Sequence, residues 1–138
     1  MPIRELSVEI PNQAGQLARI TAAIASAKVN LLGLAASSDG RVGWVRIMVD
    51  NPAAAEEALL SAGYEVEAQD ALGVLVGNQP GTLHQVLSLL QDNKVSIDYI
   101  YNCVQVQDGL VMTVIGVHQP AKAGDILAAA GIQVANSN

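Results

Sequence analysis

The 138-residue chain contains no phenylalanine, and its one tryptophan and three tyrosines leave aromatic residues at 3%. A single cysteine, Cys103, excludes an internal disulfide and a two-cysteine metal clip, and it reads as a small buried apolar side chain in a reducing compartment. Charge is scarce too: Asp, Glu, Lys and Arg make up 14% of the residues, well below the ~25% of ordinary domains. Seven basic residues against thirteen acidic ones give a net charge of −6. The basic residues stand singly, so the clustered Lys and Arg that grip phosphates are missing and no nucleic-acid partner is expected. No run approaches the ~20 apolar residues of a membrane span. The opening Met1-Pro2-Ile3-Arg4-Glu5 lacks a signal peptide's apolar stretch, so the expectation is a soluble cytoplasmic protein without membrane contact.

Apolar residues, by contrast, are plentiful at 51%, enough to build a folded interior in one domain or two small ones. A repeat decides between these. Asn12-Gln13-Ala14-Gly15-Gln16-Leu17 returns 66 residues later as Asn78-Gln79-Pro80-Gly81-Thr82-Leu83, with four of six positions identical. Val29-Asn30-Leu31 becomes Val95-Ser96-Ile97, and Ala62-Gly63-Tyr64-Glu65-Val66 becomes Ala130-Gly131-Ile132-Gln133-Val134. Repeats in register along the whole chain indicate two copies of one unit, residues 1–69 and 70–138.

Within the first copy Leu6, Val8 and Ile10 alternate with Glu5, Ser7 and Glu9, the period of a strand with one wet face. Leu17, Ile20, Ile24 and Ala27 then recur at helical spacing. Residues 31–38 and 42–49 read as a hairpin around Asp39-Gly40. Asn51-Pro52 opens a second helix that stops near Gly63, and Tyr64 to Ala68 closes the unit as a strand. The second copy follows suit, with strands at 72–76, 97–106, 110–117 and 132–135 and helices from Leu83 to Leu90 and from Ala121 to Ala130. Each copy is thus βαββαβ, and right-handed crossovers make that an α+β ferredoxin-like sandwich with both helices on one face of an antiparallel sheet. In the second hairpin strand Val45, Ile47 and Val49 share one face, leaving Trp44, Arg46 and Met48 on the other. Both faces of residues 110–117 are apolar, as are Tyr99, Ile100 and Tyr101. Exposed patches of this kind predict a homodimer or units joined through their sheets.

The repeated strand-to-helix loop is where chemistry can sit. Gly15 and Gly81 stand where no side chain blocks the backbone, and the free N–H groups of the helix start attract a carboxylate. Asn12 and Asn78 each carry an acceptor and donors, a combination suited to a zwitterion, and Asn30 is expected to approach the same opening. The alternative is structural: asparagines that cap helices and glycines that make turns.

The Asn-x-(Pro)-Gly-x-Leu loop, followed by Val-Asn-Leu at the next strand within a βαββαβ unit, resembles the ACT domain, a regulatory amino-acid-binding module. Nearly the whole chain is similar to two tandem ACT units with no attached enzyme. The resemblance implies a regulatory protein whose amino-acid ligand lies near an interface between units, contacted by the loop and by the beginning of the second strand. Carried over, the ligand residues are Asn12, Ala14, Gly15, Gln16, Leu17, Asn30 and Leu31. In the second copy they are Asn78, Pro80, Gly81, Thr82, Leu83, Ser96 and Ile97. Ala14 departs from the usual proline and Ser96 from the second asparagine, which favours the first copy for side-chain recognition.

Neither His84 nor His118 has a second ligand at metal spacing, so no metal or other cofactor is expected. Trp44, Tyr99 and Tyr101 are read as packing residues before pocket residues, and Glu56, Glu57, Glu65 and Glu67 as a solvated face. No Ser-His-Asp or Cys-His arrangement and no carboxylate pair points to catalysis, so the chain is not expected to be an enzyme. The expected partners are a free amino acid, a second copy of the chain and a regulated enzyme or other protein. The competing reading is a protein–protein interaction module or regulatory subunit that uses the fold without a ligand.

Overall fold

Apolar–polar alternation becomes strand β1, Ile3–Pro11, in which Leu6, Val8 and Ile10 are buried and Glu9 is exposed. In the computed structural model, which describes residues 2–136, there follow helix α1 (Gln16–Ser26), strands β2 (Leu31–Ser38) and β3 (Val42–Val49) and helix α2 (Pro52–Ser61). Then come β4 (Val66–Gly77), α3 (Thr82–Asp92), β5 (Tyr99–Gln107), β6 (Leu110–Gly116) and α4 (Pro120–Ala129). The chain divides into an N-terminal unit, Arg4–Gln69, and a C-terminal unit of residues 2–3 with 70–136. The expected βαββαβ order therefore runs twice. Met1, Ser137 and Asn138, at the ends of the two copies, lie outside the described residues.

In the N-terminal unit β3 pairs antiparallel with β1 and β2, with Leu6 opposite Ile47 and Leu34 likewise opposite Ile47. One sheet face therefore carries Leu6, Val8, Ile10, Val45, Ile47 and Val49. It packs on Ile20 and Ile24 of α1 and on Ala55 and Leu59 of α2. The helical pairs sit four residues apart, which places each on one side of its helix. Fully burying an Ile or Leu side chain contributes about 1.5–3 kcal/mol, so these few residues orient both helices. Asn51 starts α2: its side chain accepts from the Ala54 N–H at 3.2 Å, ahead of Pro52. In the C-terminal unit β6 pairs with β4 and β5, and Leu72, Val74, Val76 and Ile115 pack on Val86, Leu90, Ala123 and Leu127.

Three expectations need correction. The strands expected at 64–68 and 72–76 are one strand, β4, because nothing between them, not even the polar Gln69-Asp70, makes a turn. The closing strand expected at 132–135 reduces to an isolated bridge, Val74 to Val134, with flanking bonds from Leu75 N to Gln133 O and Ala135 N to Gly73 O. The strand expected from Ile97 starts at Tyr99, which pairs with Gly116.

The sheet faces also differ from expectation. Met48 is fully buried despite sharing the face of Trp44 and Arg46, and Glu5 on β1 is fully buried too. The Glu5 carboxylate accepts from Gln69 Nε2 at 2.8 Å, and Gln69 Oε1 accepts from the Ser7 hydroxyl at 3.3 Å. Strand β6 is buried on both faces from Met112 onwards. The exposed large apolar side chains among the described residues are Leu17, Trp44, Leu60, Ile97, Ile100 and Val104, the last 76% exposed.

Candidate functional site

Strand β1 hands over to α1 through the loop Asn12–Gly15. Gly15 is the helix N-cap with φ 90°, ψ −7°, and makes no side-chain cap. That left-handed conformation costs an L-residue roughly 1–2 kcal/mol, and glycine carries no such cost. Asn12 is therefore not a cap. Its backbone N–H donates to Arg41 O at 3.0 Å and its Nδ2 to Gly40 O at 3.4 Å, tying the loop to the β2–β3 turn. The turn is held by Asp39, whose Oδ1 accepts from the N–H groups of Arg41 (2.9 Å) and Val42 (3.0 Å). The Val42 N–H and then the Arg41 N–H hold this carboxyl below its ordinary range.

Between this loop and the sheet lies a cavity of about 400 Å³. Its roof is the loop and the first turn of α1: Asn12, Gln13, Gly15, Gln16, Leu17 and Ala18. Its floor is the helix-side row of the sheet end, Ile10, Ala36, Ser38, Gly43 and Val45, whose shared face follows from the pairs Ile10–Gly43, Ser38–Gly43 and Ala36–Val45. The cavity exists because three floor residues are small. The N–H groups of Leu17 and Ala18, in the first turn, have no intrahelical acceptor, so they present donors and the positive end of the helix dipole to an anion there. Gln16 Oε1 accepts from the Tyr64 hydroxyl at 3.1 Å, fixing the helix start against the residue ahead of β4.

Of the first-copy residues expected at a ligand, Asn12, Gly15, Gln16 and Leu17 line this cavity; Ala14 lies in the same loop but is not part of the lining. Asn30 and Leu31 do not approach it. They follow the C-terminal end of α1, an eleven-residue helix about 16 Å long at 1.5 Å per residue. There the Asn30 N–H donates to Asp50 Oδ1 at 2.9 Å and Leu31 pairs with Val49. A helix between two strands puts its ends at opposite edges of the unit, so both positions cannot face one opening within it.

The second copy is built differently at the matching places. Gly81 repeats the left-handed N-cap at φ 87°, and Asn78 and Pro80 are exposed in the loop before it. The Thr82 hydroxyl, however, turns back on the carbonyls of Gly77 and Gln79. Leu83 packs on the core of its unit, whereas Leu17 is 41% exposed. Strand β6 carries Val111 and Thr113 where β3 has Gly43 and Val45, and Thr113 donates to Asn102 Oδ1 at 2.9 Å. Bulk and an internal hydrogen bond replace the small floor. Ser96 instead borders a cavity of about 340 Å³ with Lys94, Asp98, His118 and Lys122, all of them exposed. Ile97, next to Ser96, is 37% exposed.

Sequence reasoning missed the floor. Ala36, Ser38 and Gly43 take part only through strand register, although the contrast of Gly43 with Val111 between the copies was visible. Trp44 borders the cavity and also a depression of about 490 Å³ shared with Glu9, Arg46, Glu65 and Glu67. Tyr99 and Tyr101 stack on one another with ring centres 6.3 Å apart. Cys103 is buried. The His84 ring meets the Ser88 hydroxyl at 3.2 Å, and the described residues hold no group of three or more His, Cys, Asp or Glu placed to bind a metal ion. No helix among the described residues is long and apolar enough to cross a membrane.

Comparison with known proteins places this geometry in a family. The chain superposes on the crystal structure of a protein from Bacteroides thetaiotaomicron with a TM-score of 0.88 and 27% identity, covering 98% of this chain and 92% of that one. It shares its fold with the regulatory subunit of aspartate kinase from Thermus thermophilus (TM-score 0.65, 18% identity, 94% and 93% covered) and from Thermus flavus (0.67, 19%, 94% and 90%). No curated protein matches it. The family model described as an ACT domain pair matches residues 1–115, and the chain belongs to that family.

Proposed function

We propose that the chain is a non-enzymatic regulator that binds a free amino acid in the N-terminal cavity. The observation that carries this reading is the cavity itself, which sets an uncapped helix start, held open by Gly15, above a floor of small residues. The ligand carboxylate lies at the N–H groups of Leu17 and Ala18, and the Asn12 carbonyl oxygen accepts from its ammonium group. Family membership supports the regulatory role, and the likeness of fold to regulatory subunits supports a regulated enzyme as partner. The protein works in the cytoplasm as a homodimer, with Ile100 and Val104 among the apolar side chains available to cover. Each unit is one ACT domain, residues 1–69 and 70–138. Asn30, Leu31 and the second-copy positions Asn78, Pro80, Gly81, Thr82, Leu83, Ser96 and Ile97 serve ligand binding only where another unit presents them to a loop.

The test is equilibrium dialysis of the purified chain against a mixture of the common amino acids, with the retained species identified by mass spectrometry. One amino acid is retained at one equivalent per chain, and at one hundred times its dissociation constant it stabilises the fold by about 2.7 kcal/mol. Retention of none, in a protein that unfolds cooperatively, refutes the proposal and leaves the interaction-module reading.

A further inference from the structure

We infer that the N-terminal cavity selects an amino acid whose side chain is uncharged and mainly aliphatic; this rests on its being the amino-acid site. None of the residues lining it is ionisable. Asp39 and Arg41 belong to the adjoining turn, where the Asp39 carboxylate already accepts from the Arg41 and Val42 N–H groups. Glu9, Arg19 and Arg46 are chain neighbours of lining residues without joining the lining.

With the ligand's carboxylate at the α1 start, its side chain faces Ile10, Ala36, Gly43 and Val45, a surface of carbon atoms. The Ser38 hydroxyl beside them accepts from the Gly40 N–H at 2.9 Å. A lysine or glutamate side chain entering there gives up hydration and meets no opposite charge, whereas a leucine or valine side chain buries apolar area. Size is set at position 43. A Cβ on Gly43 would stand 3.2 Å from Ile10 Cγ1 and 3.6 Å from Ser37 O, so a side chain there must displace Ile10 and adds bulk to the floor of the cavity. The C-terminal unit, with Val111 at this position, shows that the fold accommodates a valine.

Calorimetry of the full chain with glycine, valine, leucine, lysine and glutamate tests the inference. Valine or leucine binds about tenfold or more tighter than lysine and glutamate. Gly43→Val abolishes that binding while the protein still unfolds cooperatively. Ser38→Asp, which keeps an acceptor for the Gly40 N–H, moves the preference about tenfold toward lysine, and it decides the matter if Gly43→Val fails to fold. Lysine or glutamate bound as tightly as leucine, with binding lost in Gly15→Asp, overturns the selectivity and leaves the site standing. Binding of none of the five overturns the selectivity, and the site itself falls only if the dialysis against all the common amino acids also retains none.

Discussion

Replacing Gly15 separates the folding role of the loop from its ligand role. A Cβ at this position would meet no atom within 4 Å, so φ 90° is what opposes substitution. Gly15→Ala therefore destabilises the fold by about 1–2 kcal/mol through the left-handed backbone alone. Gly15→Asp bears the same strain but places a carboxylate at a helix N-terminus, which recovers about 0.5–1 kcal/mol through capping and the dipole. Aspartate should thus fold more stably than alanine. Toward a ligand the order reverses. A second carboxylate about 4 Å from the first costs about 1 kcal/mol in water and about 4 kcal/mol at an effective dielectric of 20, hence roughly fivefold to several-hundredfold in affinity. Urea unfolding gives the first order and calorimetry the second. If Gly15→Asp binds as the unmodified chain does, the carboxylate is not at this helix start. If both variants lose affinity in proportion to stability, the loop is only a turn.

The two units predict contrasting cap mutants. Asn51→Ala loses the bond to the Ala54 N–H and should cost about 1 kcal/mol in denaturant unfolding, whereas Gln119, which makes no side-chain cap on α4, should tolerate alanine with little change. Equal effects would contradict the capping assignment. The Asp39 carboxyl, held below its ordinary range by the Val42 and Arg41 N–H groups, gives a pH dependence of definite sign. Because its folded pKa is depressed, the stability it adds to the turn is fully present above the unfolded carboxylate value of about 3.9 and is lost as pH falls through the lower folded value. In an NMR titration the Arg41 and Val42 amide protons should shift with a midpoint below about pH 3.9, and they should lose that transition in Asp39→Asn. A midpoint at or above that value refutes the assignment.

The order of elements was legible because each depends on local chemistry: alternation in β1, four-residue spacing of Ile20 and Ile24, Asp39-Gly40 at the hairpin, and Asn51-Pro52 before α2. What was not legible depends on pairing between distant residues. The continuity of β4 through Gln69 and Asp70 is one such case. Gln69 is polar, but its amide is consumed by Glu5 and Ser7 on β1, residues more than sixty positions away. Burial of Met48 is another, since alternation assigns a face but not what covers it. For the site, the loop announced itself by recurring, and Asn12, Gly15, Gln16 and Leu17 do share one cavity. Asn30 does not line this cavity, because adjacency to a helix in sequence says nothing about which end of it a residue occupies. The floor stayed hidden because Ala36 and Gly43 acquire meaning only from the register that sets them under α1.

The most direct measurement is a backbone-amide NMR titration of the full chain with leucine. The account predicts saturable shifts at residues 15–18 and along 36–43, which border the cavity, with the 78–83 loop unmoved. Shifts confined to the 78–83 loop or to residues 94–98 and 118–122, or none anywhere at millimolar leucine while another amino acid shifts those segments instead, would contradict it.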